Sequence, residues 1–227
     1  MYIYIIILII ICIFSLKLTC RNYEILIHSI KWCISFLFGI NYNFSNTVLP
    51  KEISYVIIRN ITDIKKIEKN RFKFVDFGCG EGNILFLVRD LFDQLDGIEI
   101  DKKMATKAKN NLSKFSNINI KNLNMQYYNY EPVNTILYFF EPISILNIKE
   151  ENIYETVFKK IEKTFRNTDL IFYIIYVTDI FKLTYKNVLS ELFDKYGFDL
   201  VKKTSCCFRK ICIYKYRSMI NMCYNTN

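Results

Sequence analysis

Two acids and three glycines are the residues of this 227-residue chain best suited to hold a small charged ligand. Asp76 lies in an apolar run, Phe74-Val75-Asp76-Phe77. Gly78, Gly80 and Gly82 follow at alternate positions, with Cys79 and Glu81 between them. The chain has only six glycines, so three within five positions is a local concentration. Glycine tolerates positive φ and lets a ligand approach the backbone closely. A helix-forming run over 84–89 comes next, and the pattern predicts strand, glycine turn and helix, with backbone N–H groups gathered at the helix N-terminus. Glu99 lies 17 residues beyond Gly82, where a second short strand over 95–101 ends in acids. A carboxylate about 20 residues past such a turn is well placed to accept hydrogen bonds from ribose hydroxyls.

The spacing discriminates between ligands. A dinucleotide turn wants its third glycine one position later than Gly82, where this chain has Asn83. A pyrophosphate would also be repelled by Asp76 and Glu81, whereas a carboxylate at 76 attracts an ammonium group. Val75-Asp76-Phe77-Gly78-Cys79-Gly80-Glu81-Gly82 resembles the first motif of the class I S-adenosylmethionine-dependent methyltransferases. The resemblance implies that S-adenosylmethionine is the cofactor. It implies that Asp76, Gly78, Cys79, Gly80 and Gly82 line its methionyl end and that Glu99 holds its ribose. Where the family often has an acid after the third strand, this chain has amides, and Asn124 or Gln126 is the candidate for the adenine edge. Tyr127-Tyr128-Asn129-Tyr130 reads as surface or lid.

The acceptor side would lie at the end of the fourth strand, Tyr138-Phe139-Phe140-Glu141-Pro142. Nucleobase amino-methyltransferases often carry Asn/Asp-Pro-Pro-aromatic there, and this chain does not. It is nearer to proteins with a strand ending Tyr-x-Asn-Pro-Phe and to the related membrane-associated protein-lysine methyltransferases, with Glu141 in place of the Asn. A carboxylate there could hold or deprotonate an amine, or only cap the next turn. Methyl transfer from a sulfonium is an in-line displacement with an activated leaving group, so alignment matters more than any fixed triad.

These residues need a frame. Asp101 is placed to N-cap a helix whose narrow apolar face is Met104, Ala105 and Ala108. Strands are predicted over 117–122, 135–140 and 169–177, the second almost wholly apolar, as when helices cover both faces. Helices are predicted over 148–165 and 185–196, the latter stopped by Gly197. Alternating segments at 198–204 and 210–216 read as a closing antiparallel hairpin. The expected fold is α/β: a Rossmann-like, doubly wound, mostly parallel seven-stranded sheet with a C-terminal hairpin, preceded by an N-terminal hydrophobic helix.

Three segments are expected: 1–20 hydrophobic, 21–55 a helical lead-in that caps the pocket, and 56–227 the methyltransferase domain. Residues 1–16 carry no charged side chain, and with Lys17 snorkelling the run borders on the length of a membrane span. A retained anchor, a buried or dimer-forming segment and a cleaved signal are the three readings. Basic Lys17, Arg21 and Lys31 follow the run and none precedes it, so an anchored domain would face the cytoplasm or matrix.

The chain is basic, with 31 Lys and Arg against 22 Asp and Glu. That excess suits anionic lipid, nucleic acid or an acidic protein, but the charges are dispersed and no nucleic-acid module is recognisable. Eight cysteines include no Cys-x-x-Cys pair, and His28 is the only histidine, so no metal site is expected. Three readings emerge: a membrane-anchored methyltransferase acting on protein lysine amino groups, one acting on a lipid or small molecule, and a silent cofactor-binding scaffold.

Overall fold

The structure, a computed structural model, describes residues 51–140, 148–179, 186–206 and 209–218. The chain divides into two compact units, 1–53 and 54–227. The hydrophobic N-terminal segment, the lead-in and Glu141 lie outside the described residues. Among the described residues no helix is long and apolar enough to cross a membrane.

Helix α1 (Lys51–Glu68) leads into strand β1 (Lys73–Phe77). Helix α2 (Asn83–Val88) and a single 3-10 turn (Arg89–Leu91) connect to β2 (Gln94–Glu99). Helix α3 (Lys102–Leu112) leads to β3 (Ile118–Asn122), and a 3-10 turn (Met125–Tyr127) leads back to β4 (Thr135–Phe140). Helix α4 (Ile148–Phe165), β5 (Phe172–Asp179) and α5 (Lys186–Lys195) precede the closing pair β6 (Phe198–Cys206) and β7 (Arg209–Tyr216). The seven strands form one sheet in the order β3-β2-β1-β4-β5-β7-β6. β1 to β5 pair in parallel, and β7 is antiparallel to both β5 and β6.

Local chemistry sets the boundaries. The Asp101 carboxylate accepts from the backbone N–H of Lys103 and Met104 and caps α3, whose buried face is Ala105, Ala108 and Leu112. Gly197 takes φ 72° just past α5, and its N–H donates to Asp194. That left-handed conformation is the usual helix stop. β4 and α4 have the expected bounds. β5 starts at Phe172 rather than 169 and runs on to Asp179.

Alternation along the strands divides the interior into two layers. Val75, Phe77, Ile98, Leu137, Phe139, Ile174 and Tyr176 pack against Val157, Phe158 and Ile161 of α4 and Leu192 and Phe193 of α5. The other face carries Phe74, Asp76, Gly97, Glu99 and Tyr138, and is covered by α1, α2 and α3. A Cβ at Gly97 would sit 2.5 Å from Leu85 Cδ1 and 2.7 Å from Ile120 Cδ1, so β2 and α2 touch through the absence of a side chain.

The tyrosine segment after β3 is a correction. Tyr128 and Tyr130 are not surface or lid; both pack in the layer beneath α4, their rings 5.1 Å apart and edge-on. The Tyr128 hydroxyl donates to Asp96 Oδ2 at 2.7 Å, and this buried partner is what draws the phenol inward. Of the three tyrosines only Tyr127 is largely exposed, and Asn129 is exposed beside it.

Candidate functional site

β1 and β2 end side by side, and the glycine turn folds over their C-terminal edge. Gly78, Gly80 and Gly82 all take positive φ, at 76°, 54° and 87°. The N–H groups of Gly78 and Cys79 donate to Ile98 O, and that of Gly82 donates to Cys79 O. The Gly80 N–H donates to Glu99 Oε2 at 2.9 Å, while Asp101 N–H donates to Glu99 Oε1 at the same distance. α3 fastens the turn from outside through Lys107–Glu81 and through Asn111 Nδ2 to Glu81 O. The turn is therefore built and latched by the chain itself. α2 is only six residues long, and the N–H groups of 78, 79, 80 and 82 are already taken within the chain.

The three turn glycines serve different ends. A Cβ at Gly82 would collide with Leu112 Cδ1 at 2.5 Å, so this glycine seats the turn on α3. A Cβ at Gly80 would meet nothing within 4 Å. Among the described residues, packing leaves that side of the turn open, so a ligand there would meet the backbone directly.

Asp76 is the chemical centre of the arrangement. It is 2% exposed, and its carboxyl is pushed up to about 8 by burial and then by the Glu99 charge, with no hydrogen bond to offset them among the described residues. Two carboxyls share this corner without a cation among the described residues, a situation that one positive charge from outside would relieve. Glu99, 9% exposed, points at the turn and keeps lone pairs beyond the two it uses. Cys79 is a buried free thiol, pushed up by burial and by Asp76 and Glu99, so it is no nucleophile.

The amide candidates come close by chain path. Leu123 N–H donates to Glu99 O, and Asn122 Nδ2 to Glu99 O and Ile100 O, which ties the end of β3 to the end of β2. Asn124 uses its side-chain oxygen to accept from Gln126 N–H and caps the 3-10 turn. Both Asn124 and Gln126 are half-buried. The site thus brings Asp76, Gly78, Cys79, Gly80, Gly82 and Glu99 together, with Asn124 and Gln126 at its rim.

Sequence reasoning gives Tyr138 no role beyond the end of the fourth strand and does not single out Arg209. Tyr138 on β4 is the register partner of Asp76, and its buried hydroxyl has no hydrogen-bond partner among the described residues. The period-2 reading of β4 puts Tyr138 on the face opposite Leu137 and Phe139, and only the β1–β4 register adds that it neighbours Asp76. Arg209 on β7 lies over the Phe140 ring at 4.6 Å, at the end of the same strand.

No protein-family model matches the chain, and no curated protein matches it. Solved structures do. An S-adenosylmethionine-dependent methyltransferase from Clostridium acetobutylicum ATCC 824 aligns at TM-score 0.56 and 10% identity, over 83% of this chain and 98% of that one. The methyltransferase domain of bacterial CtHen1-C aligns at 0.53 and 16% identity, over 70% and 96%. Magnesium protoporphyrin IX methyltransferase from Synechocystis PCC 6803, solved with bound SAH, aligns at 0.52 and 12% identity, over 73% and 84%. The described domain has the fold of the S-adenosylmethionine-dependent methyltransferases.

Proposed function

We propose that the domain is an S-adenosylmethionine-dependent methyltransferase acting on protein amino groups, with lysine as the acceptor. The observation that carries the reading is Asp76: a buried acid with no hydrogen bond among the described residues, beside a second acid and below a turn open at Gly80. Such a corner fits a ligand with an ammonium group, and the methionyl tail of S-adenosylmethionine supplies one.

In this reading the chain's own residues bind, orient and exclude water. Asp76 pairs with the ammonium as its carboxyl ionises. The open backbone at Gly80 admits the tail, and Glu99 accepts from the ribose hydroxyls with its remaining lone pairs. Asn124 and Gln126 face the base. When bound, the cofactor supplies an electrophilic methyl on a sulfonium, and alignment with the acceptor is the main catalytic demand. Glu141, which follows β4 in the chain, is the group that holds or deprotonates the acceptor amine. The apolar run over 1–16 supports anchoring at a membrane with the domain on its cytoplasmic or matrix side.

Calorimetric titration of the whole protein with S-adenosylmethionine and with S-adenosylhomocysteine (SAH) tests the cofactor. Binding that Asp76→Ala weakens without abolishing is expected, and no binding by the unmutated chain would end the enzymatic reading. Incubation with methyl-labelled cofactor and membrane extract tests the acceptor. Label in protein lysine supports the proposal, and label confined to lipid overturns the choice of acceptor.

A further inference from the structure

Two adjacent groups in the core are each incomplete. Asp76 is a carboxyl without a donor, and Tyr138 is a hydroxyl without an acceptor among the described residues. The β1–β4 register sets them opposite each other. Partners in neighbouring parallel strands lie about 4.8 Å apart and project to the same face. Tyr138 is 2% exposed, and its ring is stacked on Phe74 at 6.3 Å and 21°, so the ring is held while the hydroxyl is left over. A buried hydroxyl without a partner is costly and calls for an explanation.

The surroundings narrow that explanation. The charges that act on Tyr138 are Asp76 on β1 and Arg209 on β7. Those near Asp76 are Glu99 on β2 and, in the turn, the Cys79 thiol. A neutral carboxyl is a weak acceptor and an ionised one a strong acceptor. The hydroxyl therefore gains its full partner only when Asp76 carries charge, and Asp76 carries charge when a cation sits beside it.

We propose that Tyr138 is a positioning residue for the cationic tail of the ligand, its hydroxyl donating to the Asp76 carboxylate when that carboxylate pairs with the ligand's ammonium. On binding, Asp76 releases its proton to solvent and Tyr138 keeps its own. Tyr138 acts through Asp76 and does not touch the transferred methyl group. The inference rests on the ligand class proposed above and adds a residue to it.

The test is a double-mutant cycle on the full chain: wild type, Tyr138→Phe, Asp76→Leu and the pair, each titrated with SAH at pH 7 and melted without ligand. Tyr138→Phe is expected to raise the melting temperature of the free protein while weakening SAH binding about tenfold to a hundredfold, the worth of one hydrogen bond to a charged group. In the Asp76→Leu background the same change is expected to matter less than about twofold, because the acceptor is gone. A merely structural tyrosine would not show that coupling. Wild type that binds SAH together with a Tyr138→Phe protein that binds equally well, or with equal losses in both backgrounds, overturns the role of Tyr138 and leaves the cofactor reading standing. A Tyr138→Phe protein less stable than wild type, or unfolded, shows that the hydroxyl already has a partner and also overturns it. Wild type that binds no SAH overturns both.

Discussion

Asp76 and Asp96 sit one register step apart on neighbouring strands, Asp76 opposite Gly97 and Asp96 opposite Val75, and face opposite sides of the sheet. Both are almost fully buried, at 2% and 4% exposure. Asp96 is surrounded: Oδ2 takes Lys73 Nζ at 3.0 Å, Lys121 Nζ at 2.9 Å and the Tyr128 hydroxyl at 2.7 Å, and Lys73 reaches on to Glu131 at 2.8 Å. Burial alone would raise its carboxyl, but the hydrogen bonds from Lys121, Tyr128 and Lys73 outweigh that and hold it below the usual range. Asp76 is pushed up to about 8 by burial first and then by the acid beside it. The contrast shows how a buried charge is read. One that the described residues neutralise is architecture, and one that they leave unmatched is a candidate ligand site.

The comparison breaks most visibly at Asp96. Asp96→Ala leaves Lys73 buried beside the exposed Glu131 alone, and urea unfolding should show a loss of about 3–5 kcal/mol, the usual cost of removing one partner from a buried pair. The pH dependence separates the two acids by sign. Asp76 has a raised folded value, so the stability it contributes is complete below its unfolded value near 4 and is lost as pH rises through about 8. Asp96 has a lowered one, so its contribution is present above the unfolded value and is lost in acid. Asp76→Asn should flatten the alkaline loss and leave the free protein at pH 9 more stable than wild type by about 1.4 kcal/mol or more, a tenfold change in the folding equilibrium. Urea midpoints at pH 5, 7 and 9 would show it, and a wild type whose stability rises over that range would contradict it.

Two smaller effects sharpen the picture. Glu99→Gln removes the charge beside Asp76, and carboxyl 13C resonances should show the Asp76 midpoint move toward acid by about one pH unit. Lys121→Met should cost only about 0.5–1 kcal/mol by the same urea assay, since Lys121 is partly exposed and Lys73 and Tyr128 stay on Asp96.

The sequence made the frame legible where a local rule decides the outcome. Asp101 caps a helix through its own neighbours, Gly197 stops one by its own φ, and the apolar run of β4 has no alternative to a buried strand. β5 was misplaced at both ends because apolar side chains run on past strand boundaries and periodicity alone does not mark the first ladder hydrogen bond. The tyrosines after β3 were misread because Tyr128 turns inward for Asp96, 32 positions earlier, a pairing that exists only once β2 and the loop are side by side. Lys73 escaped notice for the same reason: a lysine opening a strand looks solvated until Asp96 and Glu131 close around it. The glycine turn and its two acids are contiguous enough to be read in one dimension. Tyr138 takes its meaning from the β1–β4 register.

The late position of β7 has a consequence for biosynthesis. β5 is the most continuously apolar strand, and its free edge is covered only when Arg209–Tyr216 slots in between it and β6. During translation, every chain shorter than that length presents an unpaired, aromatic-rich ribbon to its neighbours on the polysome. Crowded synthesis is therefore most hazardous in the interval between the emergence of residue 179 and that of residue 216.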